Sequence, residues 1–465
     1  MTTPNATLLI TNPATGEPLD EIACTTATEL ADAMDAARIA QAVWADTPVD
    51  ERIAVVERFR QLVAEQADEL AAVLTSETGK PISQATGELG AVLGRIDFFT
   101  DKVADALAIT QVGDDGATVE MIAREPLGVV ANISAWNYPW FVGTNVFVPA
   151  LLTGNAVLYK PSEYATLTGL AMGRLLADAG LPPGLFTVVV GGGDTGAALL
   201  ELAVDAVAFT GSYPTGRRIA ESVAARLIPV QLELGGKDPV YVTDDVDVAA
   251  AAESLAEGAF YNNGQSCCAV ERLYVHADVF DEFVERYVAE VEGFVLGDPT
   301  DPDTFLGPLA RPQHAAVLAA QVDQAVAAGA VVRTGGGVLE RNGGVWFAPT
   351  VLTGVTDDMA VMRDESFGPI IGIAAVQSDD EAVARMNDTS FGLTAGVFCA
   401  DEDRAVPLLG RLNAGSAYFN CCDRVSPRLP WSGRGNSGIG LTLSVEGIVA
   451  FTQPKAYHLR RPRAL

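Results

Sequence analysis

From about Thr118 onward, short apolar runs alternate with helical patterns, and this limits the architecture more than any other feature of the chain. The runs at 129–133, 156–159, 186–190 and 206–209 are rich in valine and aromatic residues. Each is followed by turn chemistry and then by helical spacing. Apolar strands separated by helices predict a parallel sheet covered on both faces. Such sheets hold ligands beyond the carboxyl ends of their strands, so chemistry is expected in the loops after these runs. A second alternating stretch begins near Val240, with runs at 272–276, 331–334, 345–352 and 370–376 and a helix over 279–295. Leu234-Gly235-Gly236-Lys237 lies between the halves, where a glycine pair permits a hinge. Before all this, a short strand is expected near 8–12, followed by helices. Thr26 and Glu29 form a possible capping box ahead of Leu30, Met34 and Ala37, and Ile53, Val56, Phe59 and Val63 make a second apolar stripe. Both stripes predict core-facing helices.

At roughly 100–200 residues per domain, 465 residues predict two or three domains. Hydrophobic residues make up 49% and charged residues 19%, which excludes wholesale disorder. No apolar stretch approaches the ~18–20 residues of a membrane span, and no secretory signal is expected at Met1 to Ile10. The net charge is −30, from 60 acidic and 30 basic residues. That field repels phosphate backbones and anionic lipids, so no nucleic-acid or membrane partner is expected. Only five basic residues are lysine: Lys80, Lys102, Lys160, Lys237 and Lys455. An acidic, lysine-poor surface suits a salt-rich cytoplasm, and a GC-rich genome gives the same bias. Six cysteines (Cys24, Cys267, Cys268, Cys399, Cys421, Cys422) do not make a disulfide scaffold. With no CxxC and only His276, His314 and His458, no metal site is expected. A reduced, cytoplasmic setting fits best.

Three segments carry reactive groups. In Asn262-Asn263-Gly264-Gln265-Ser266-Cys267-Cys268 a helical run ends in a polar turn that presents two thiols. A catalytic thiol needs a base, a helix N-terminus or a cation, and buried inert cysteine is the commoner case. In Leu232-Glu233-Leu234 a carboxylate stands between leucines. Desolvation would raise its pKa and suit it to general-base work, while a pairing with Lys237 or Arg272 would make it structural. In Ser134-Ala135-Trp136-Asn137-Tyr138-Pro139-Trp140, directly after a strand, Asn137 is either an oxyanion donor or a turn former. Two glycine turns follow strands. Gly191-Gly192-Gly193-Asp194-Thr195-Gly196 matches GxGxxG, weakly, because three adjacent glycines make such matches easily. Gly211-Ser212-Tyr213-Pro214-Thr215-Gly216 opens a helix whose N-terminus suits a pyrophosphate.

Together these segments resemble the NAD(P)-dependent aldehyde dehydrogenase superfamily over essentially the whole chain. The matching motifs are Trp136-Asn137-Tyr138-Pro139, Lys160-Pro161-Ser162-Glu163, Phe209-Thr210-Gly211-Ser212, Leu232-Glu233-Leu234-Gly235-Gly236-Lys237, Gly264-Gln265-Ser266-Cys267, Glu365-Ser366-Phe367-Gly368-Pro369, and Pro430-Trp431-Ser432-Gly433 with Ser437-Gly438. The 34 residues from Glu233 to Cys267 also agree with the family. The resemblance implies that Cys267 is the nucleophile, Glu233 the base and Asn137 the oxyanion donor. It places the cofactor against Trp136, Lys160, Ser162, Glu163, Gly211, Ser212, Gly216, Leu234, Glu365 and Phe367. It makes the Gly191 turn a structural neighbour of the cofactor and not its fingerprint.

The implied fold class is α/β, with two doubly wound domains: a Rossmann-like cofactor domain (1–112 and 128–234) and a catalytic domain (235–440). A small β oligomerisation segment (113–127 and 441–465) completes it and implies a homodimer or homotetramer. Glu163 predicts NAD over NADP, because a carboxylate binds ribose hydroxyls and repels a 2′-phosphate. The substrate tunnel is expected at Tyr138, Phe141, Val142, Tyr261, Asp423 and Val425, whose walls favour apolar aliphatic or aromatic aldehydes. Arg424, Arg428 and Arg434 are expected on its far side. Arg424 or Arg428 would instead suit a semialdehyde carboxylate. A CoA-acylating enzyme typically lacks the Glu233 base, and a non-catalytic NAD-binding homologue would have lost Cys267, Glu233 or Asn137.

Overall fold

The computed structural model describes residues 6–462. The expectations for the first five residues and for Arg463-Ala464-Leu465 lie outside the described residues. The runs after Thr118 form two large sheets. The first has six strands in the spatial order Gly438–Ile439, Val230–Glu233, Ala206–Thr210, Val129–Ile133, Ala156–Lys160 and Phe186–Val188. All neighbours are parallel except the pair made by Gly438–Ile439. Val129–Ile133 and Ala156–Lys160 are buried at every residue, which explains their unbroken apolar character. The strand order reverses direction beside Val129–Ile133. The loops after Ile133 and Thr210 therefore open onto the switch point where such sheets bind ligands.

The second sheet has seven strands, in the order Val331–Thr334, Thr350–Thr353, Ile370–Val376, Val270–His276, Asp238–Val242, Thr394–Phe398 and Ser416–Phe419. Only its edge strand Val331–Thr334 runs antiparallel. The run expected as one strand at 345–352 divides in two. Gly344–Phe347 forms a hairpin with Val338–Arg341, and Thr350–Thr353 enters the large sheet. Pro349, lacking an N–H, stands at the break.

The N-terminal helices pack on the first sheet. Helix Ala27–Asp46 begins with the expected capping box: Thr26 Oγ1 accepts from Glu29 N at 3.2 Å, and Glu29 Oε2 accepts from Thr26 N at 2.8 Å. Leu30, Met34, Ala37, Val56, Phe59 and Val63 are buried in the core beneath that sheet, with Ile53 half-buried beside them. The 26-residue helix Ile82–Leu107 buries Leu89, Val92, Ile96 and Phe99, but also Gln84, Glu88 and Arg95. Segments 117–125 and 451–458 pair within the chain: Thr452–Arg460, Thr118–Pro126 and Thr110–Asp114 make a three-stranded antiparallel sheet. All six cysteines are free thiols. Among the described residues, no helix is long and apolar enough to cross a membrane.

Candidate active site

Cys267 is presented by a turn built to be rigid. Helix Val248–Phe260 ends, and Asn262 (φ 53°), Asn263 (φ 57°) and Gly264 (φ 65°) follow in the left-handed region. Asparagine tolerates that region better than most side chains. Hydrogen bonds hold it there: Asn262 N donates to Gln84 Oε1 at 2.9 Å, and Asn263 Nδ2 donates to the carbonyls of Gly307 and Pro308. Gly264 cannot carry a side chain, since a Cβ would sit 2.5 Å from the Gly368 carbonyl oxygen. Gln265 is locked at both ends, donating to Asn262 O at 3.1 Å and accepting from Ala310 N at 3.1 Å. This network explains why so many polar residues precede the thiol.

The two adjacent thiols differ. Cys267 is partly exposed, whereas Cys268 is buried and donates to Asp423 Oδ1 at 2.9 Å. Contact with the Cys267 thiol, burial and Asp423 together push the Cys268 thiol well above its ordinary pKa. Of the two thiols, Cys267 is the more accessible.

Glu233 ends its strand with its carboxyl buried. Its Oε1 accepts from Gln231 Nε2 at 2.8 Å and from the Thr442 hydroxyl. Burial pushes its pKa up to about 7, and these hydrogen bonds oppose the shift. The short strand Gly438–Ile439 fixes this end of the sheet, with Gly438 opposite Glu233 and Leu234 N donating to Ser437 O at 3.0 Å. Glu233 forms no ion pair with Lys237 or Arg272. Lys237 instead binds Glu271 at 2.7 Å, and Arg272 donates to the Lys237 carbonyl. Glu271 in turn accepts from the backbone N–H groups of Ser366 and Phe367 and so holds the Glu365–Phe367 loop. Asn137 is buried, with its carbonyl held by Asn262 Nδ2 at 3.2 Å. Among the described residues its side-chain amide has no hydrogen-bond partner.

Two cavities meet at Cys267 and Glu233. The larger, about 750 Å³, lies beyond the strand ends of the first sheet. Its walls include Trp136, Asn137, Lys160, Ser162, Glu163, Gly211, Ser212, Leu234, Glu365 and Phe367. Gly193, Asp194 and Gly196 of the GxGxxG turn also line it. Gly216 does not. It lies behind Leu234, whose methyl group would be 2.4 Å from a Cβ at that position. Glu365 Oε1 accepts from Gly236 N at 3.1 Å, and burial pushes its carboxyl up. A Cβ on Gly235 would fall 2.1 Å from that carboxylate. Lys160 is buried, and among the described residues its Nζ reaches only the Pro161 carbonyl, at 3.1 Å. Backbone at a sheet switch point, a helix opening at Tyr213–Val223, a buried ammonium and two carboxylates fit a dinucleotide.

The second cavity, about 580 Å³, lies on the other side of Cys267. Tyr138, Phe141, Val142, Tyr261, Asp423 and Val425, the residues expected along a substrate tunnel, all line it. Arg424 and Arg428 lie at its exposed rim, and Arg434 is turned away, donating to Asn413 Oδ1. Asp423, left-handed at φ 47°, also accepts from Ser266 Oγ and so ties the wall to the thiol turn. Sequence reasoning missed the charged residues here. Lys80 ion-pairs with Glu88 and lies 3.8 Å over the Tyr138 ring. Arg95 lies 3.8 Å over the Phe141 ring. The available signal was polar residues on the apolar face of a helix: Gln84, Glu88 and Arg95 recur at helical spacing.

Comparison with known proteins shows the family of the chain. Residues 2–457 match the model of the aldehyde dehydrogenase family. A 3,6-anhydro-alpha-L-galactose dehydrogenase of Streptomyces coelicolor is 39% identical over 98% of this chain and 94% of its own length. A betaine aldehyde dehydrogenase of Brucella anthropi is 36% identical over 96% of this chain and 92% of its own. The crystal structure of an NAD-dependent aldehyde dehydrogenase from Sinorhizobium meliloti superposes with a TM-score of 0.95 at 34% identity, covering 99% of this chain and 93% of that one. The chain belongs to the aldehyde dehydrogenase family and is an oxidoreductase.

Proposed function

We propose that this enzyme oxidises an aldehyde with an apolar body, aliphatic or aromatic, to the carboxylic acid, with NAD preferred to NADP. The observation that carries the reading is that Cys267 and Glu233 alone among the reactive groups line both cavities. Cys267 Sγ attacks the aldehyde carbon from the smaller cavity. The developing oxyanion is held by the unengaged Asn137 amide and the Cys267 backbone N–H. One such donor is typically worth ~2.7–4 kcal/mol. The chemistry that bound NAD(P) supplies is acceptance of the hydride from that carbon, which leaves a thioester on Cys267. Trp136, Lys160, Ser162, Glu163, Gly211, Ser212, Leu234, Glu365 and Phe367 would hold the dinucleotide, and Gly216 keeps Leu234 in place. Glu233, with its pKa near neutrality, takes a proton from water. The hydroxide attacks the thioester, the C–S bond breaks, and the proton on Glu233 passes to the departing Cys267 sulfur as the acid leaves. This buried base argues against CoA as the acyl acceptor.

Glu163 carries the NAD preference: its carboxylate suits ribose hydroxyls and opposes a 2′-phosphate. The substrate names of the two relatives do not transfer directly. Betaine aldehyde is a cation, and here Lys80 and Arg95 already cover the faces of Tyr138 and Phe141. Arg424 and Arg428 are exposed, where solvent and salt weaken a carboxylate clamp. The division into a cofactor domain, a catalytic domain and an oligomerisation segment is proposed on the same footing. The outer strand Thr452–Arg460 leaves an edge open for a second copy. Free thiols favour a reduced cytoplasm.

The test is product analysis. With NAD and hexanal or benzaldehyde, and no CoA, the enzyme should form NADH and carboxylic acid in equal amounts. NADH that appears only with CoA would overturn the hydrolytic reading, and no NADH from any aldehyde despite NAD binding would favour a non-catalytic homologue.

A further inference from the structure

Arg95 is 5% exposed and lines the smaller cavity. Among the described residues its only hydrogen bond runs from Nη1 to Asn145 Oδ1 at 3.0 Å, and it has no salt-bridge partner within 4.0 Å. Glu88 and Glu233 favour its charge through space, but neither is bonded to it. One Glu88 oxygen binds Lys80, and the other accepts from Trp140 N at 2.9 Å. A guanidinium is a fork of five donors, and burying one with most of its N–H groups unbonded is costly unless something else supplies the acceptors. The remaining N–H groups of Arg95 are left to whatever fills the cavity. The Phe141 ring beneath it fixes the guanidinium plane. Burial pushes Arg95 down to about 10, so it remains a cation at neutral pH.

We propose that Arg95 is a specificity-determining residue that binds a carboxylate on the aldehyde substrate, so that the enzyme prefers anionic aldehydes to neutral isosteres and excludes cationic ones. The proposal rests on the cavity being the aldehyde site. It differs from a clamp by Arg424 or Arg428 because Arg95 is buried, and a buried fork binds a carboxylate under far less solvent screening. Lys80 does not compete for the anion, since Glu88 already neutralises it.

The experiment compares succinic and adipic semialdehydes with their methyl esters, which differ in charge and little in shape. A quaternary-ammonium aldehyde serves as the cationic probe. In the wild-type holoenzyme, kcat/KM for an acid should exceed that for its ester by at least about tenfold, mostly through KM, with the cation slowest. Arg95→Met should collapse the acid-to-ester ratio towards one, and Arg95→Lys should restore part of it. Equal values for acid and ester in the wild type would overturn the proposal. So would an Arg95→Met variant in which both fall together with the ratio intact, since that marks a structural role. If Arg95→Met does not fold, calorimetric titration of the wild type with adipate and with its neutral diamide decides. Adipate should bind the tighter, and equal binding would overturn the assignment. An absence of NADH from acids and esters alike, with adipate still bound, would remove the aldehyde-oxidation reading while leaving the anion site standing.

Discussion

The two cavities that meet at Cys267 are made in different ways. The larger cavity, the proposed cofactor side, lies at the strand ends of the first sheet, beside the turns at Gly211 and Gly235 and the opening of helix Tyr213–Val223. Its geometry follows from the parallel sheet. The smaller cavity, the proposed aldehyde side, draws on distant segments: Arg95 from one helix, Phe141 from the next, Tyr138 from the cap of that helix, and Tyr261 and Asp423 from loops. Its charges are buried against aromatic faces. The contrast teaches that the first cavity is placed by the sheet, while the second is set by side chains that can be exchanged without altering that sheet. Substitutions on the shared boundary should therefore abolish chemistry, those on the cofactor side should weaken dinucleotide binding, and those on the aldehyde side should change selectivity.

The largest effect is expected at the boundary. Cys267→Ala should lower kcat by about a thousandfold or more, as loss of a covalent nucleophile does. Cys268→Ser should cost far less, because that thiol is already engaged with Asp423. Comparable losses in both, by steady-state NADH formation, would break the distinction between them. Asn137→Ala should lower kcat by about 10²–10³-fold.

The buried Glu233 gives a pH prediction with a definite sign. Turnover should rise with pH through about 7 as the base ionises. Stability should move the other way. The folded pKa, about 7, lies above the unfolded value of 4.5, so the native state holds the proton more tightly. Its contribution to stability is full below about 4.5 and is lost as pH rises to about 7, on the order of 3 kcal/mol. Denaturant melts of Glu233→Gln against wild type across this range should show the variant flatter. A parallel pair of curves would refute the assignment.

On the cofactor side alone, Gly235→Ala forces a methyl group into the Glu365 carboxylate. It should raise KM for NAD about tenfold and leave the aldehyde preference unmoved. The smallest effect is expected from Glu163→Gln. It should lower the ratio of kcat/KM for NAD to that for NADP by a few-fold, since removing one repulsive charge near a solvated ribose is worth about 1 kcal/mol.

The same contrast explains what could be read from the sequence. The apolar runs at 129–133 and 206–209 announced the sheet because fully buried strands have no polar face to obscure them. Their loops then located Asn137, Gly211 and Ser212. The break at Pro349 was hidden because Val345–Leu352 looks continuous by hydrophobicity alone. Gln231, Thr442 and Glu271 were hidden for another reason. They act through partners far away in sequence, such as Thr442 on Glu233, and no local spacing marks such contacts. Arg95 and Lys80 carry no local mark of a site, since one lies within a long helix and the other just before it. Arg95 meets the Phe141 ring only when Ile82–Leu107 packs against Pro139–Leu152.

The central claim is that Cys267 forms a thioester which Glu233 hydrolyses. Pre-steady-state NADH formation tests it most directly, with wild type beside Cys267→Ala and Glu233→Gln. The account predicts a burst in wild type, none in Cys267→Ala, and in Glu233→Gln a burst of one NADH per site followed by almost no turnover. A Glu233→Gln enzyme that turns over at the wild-type rate, or a Cys267→Ala enzyme that still shows the burst, would contradict it.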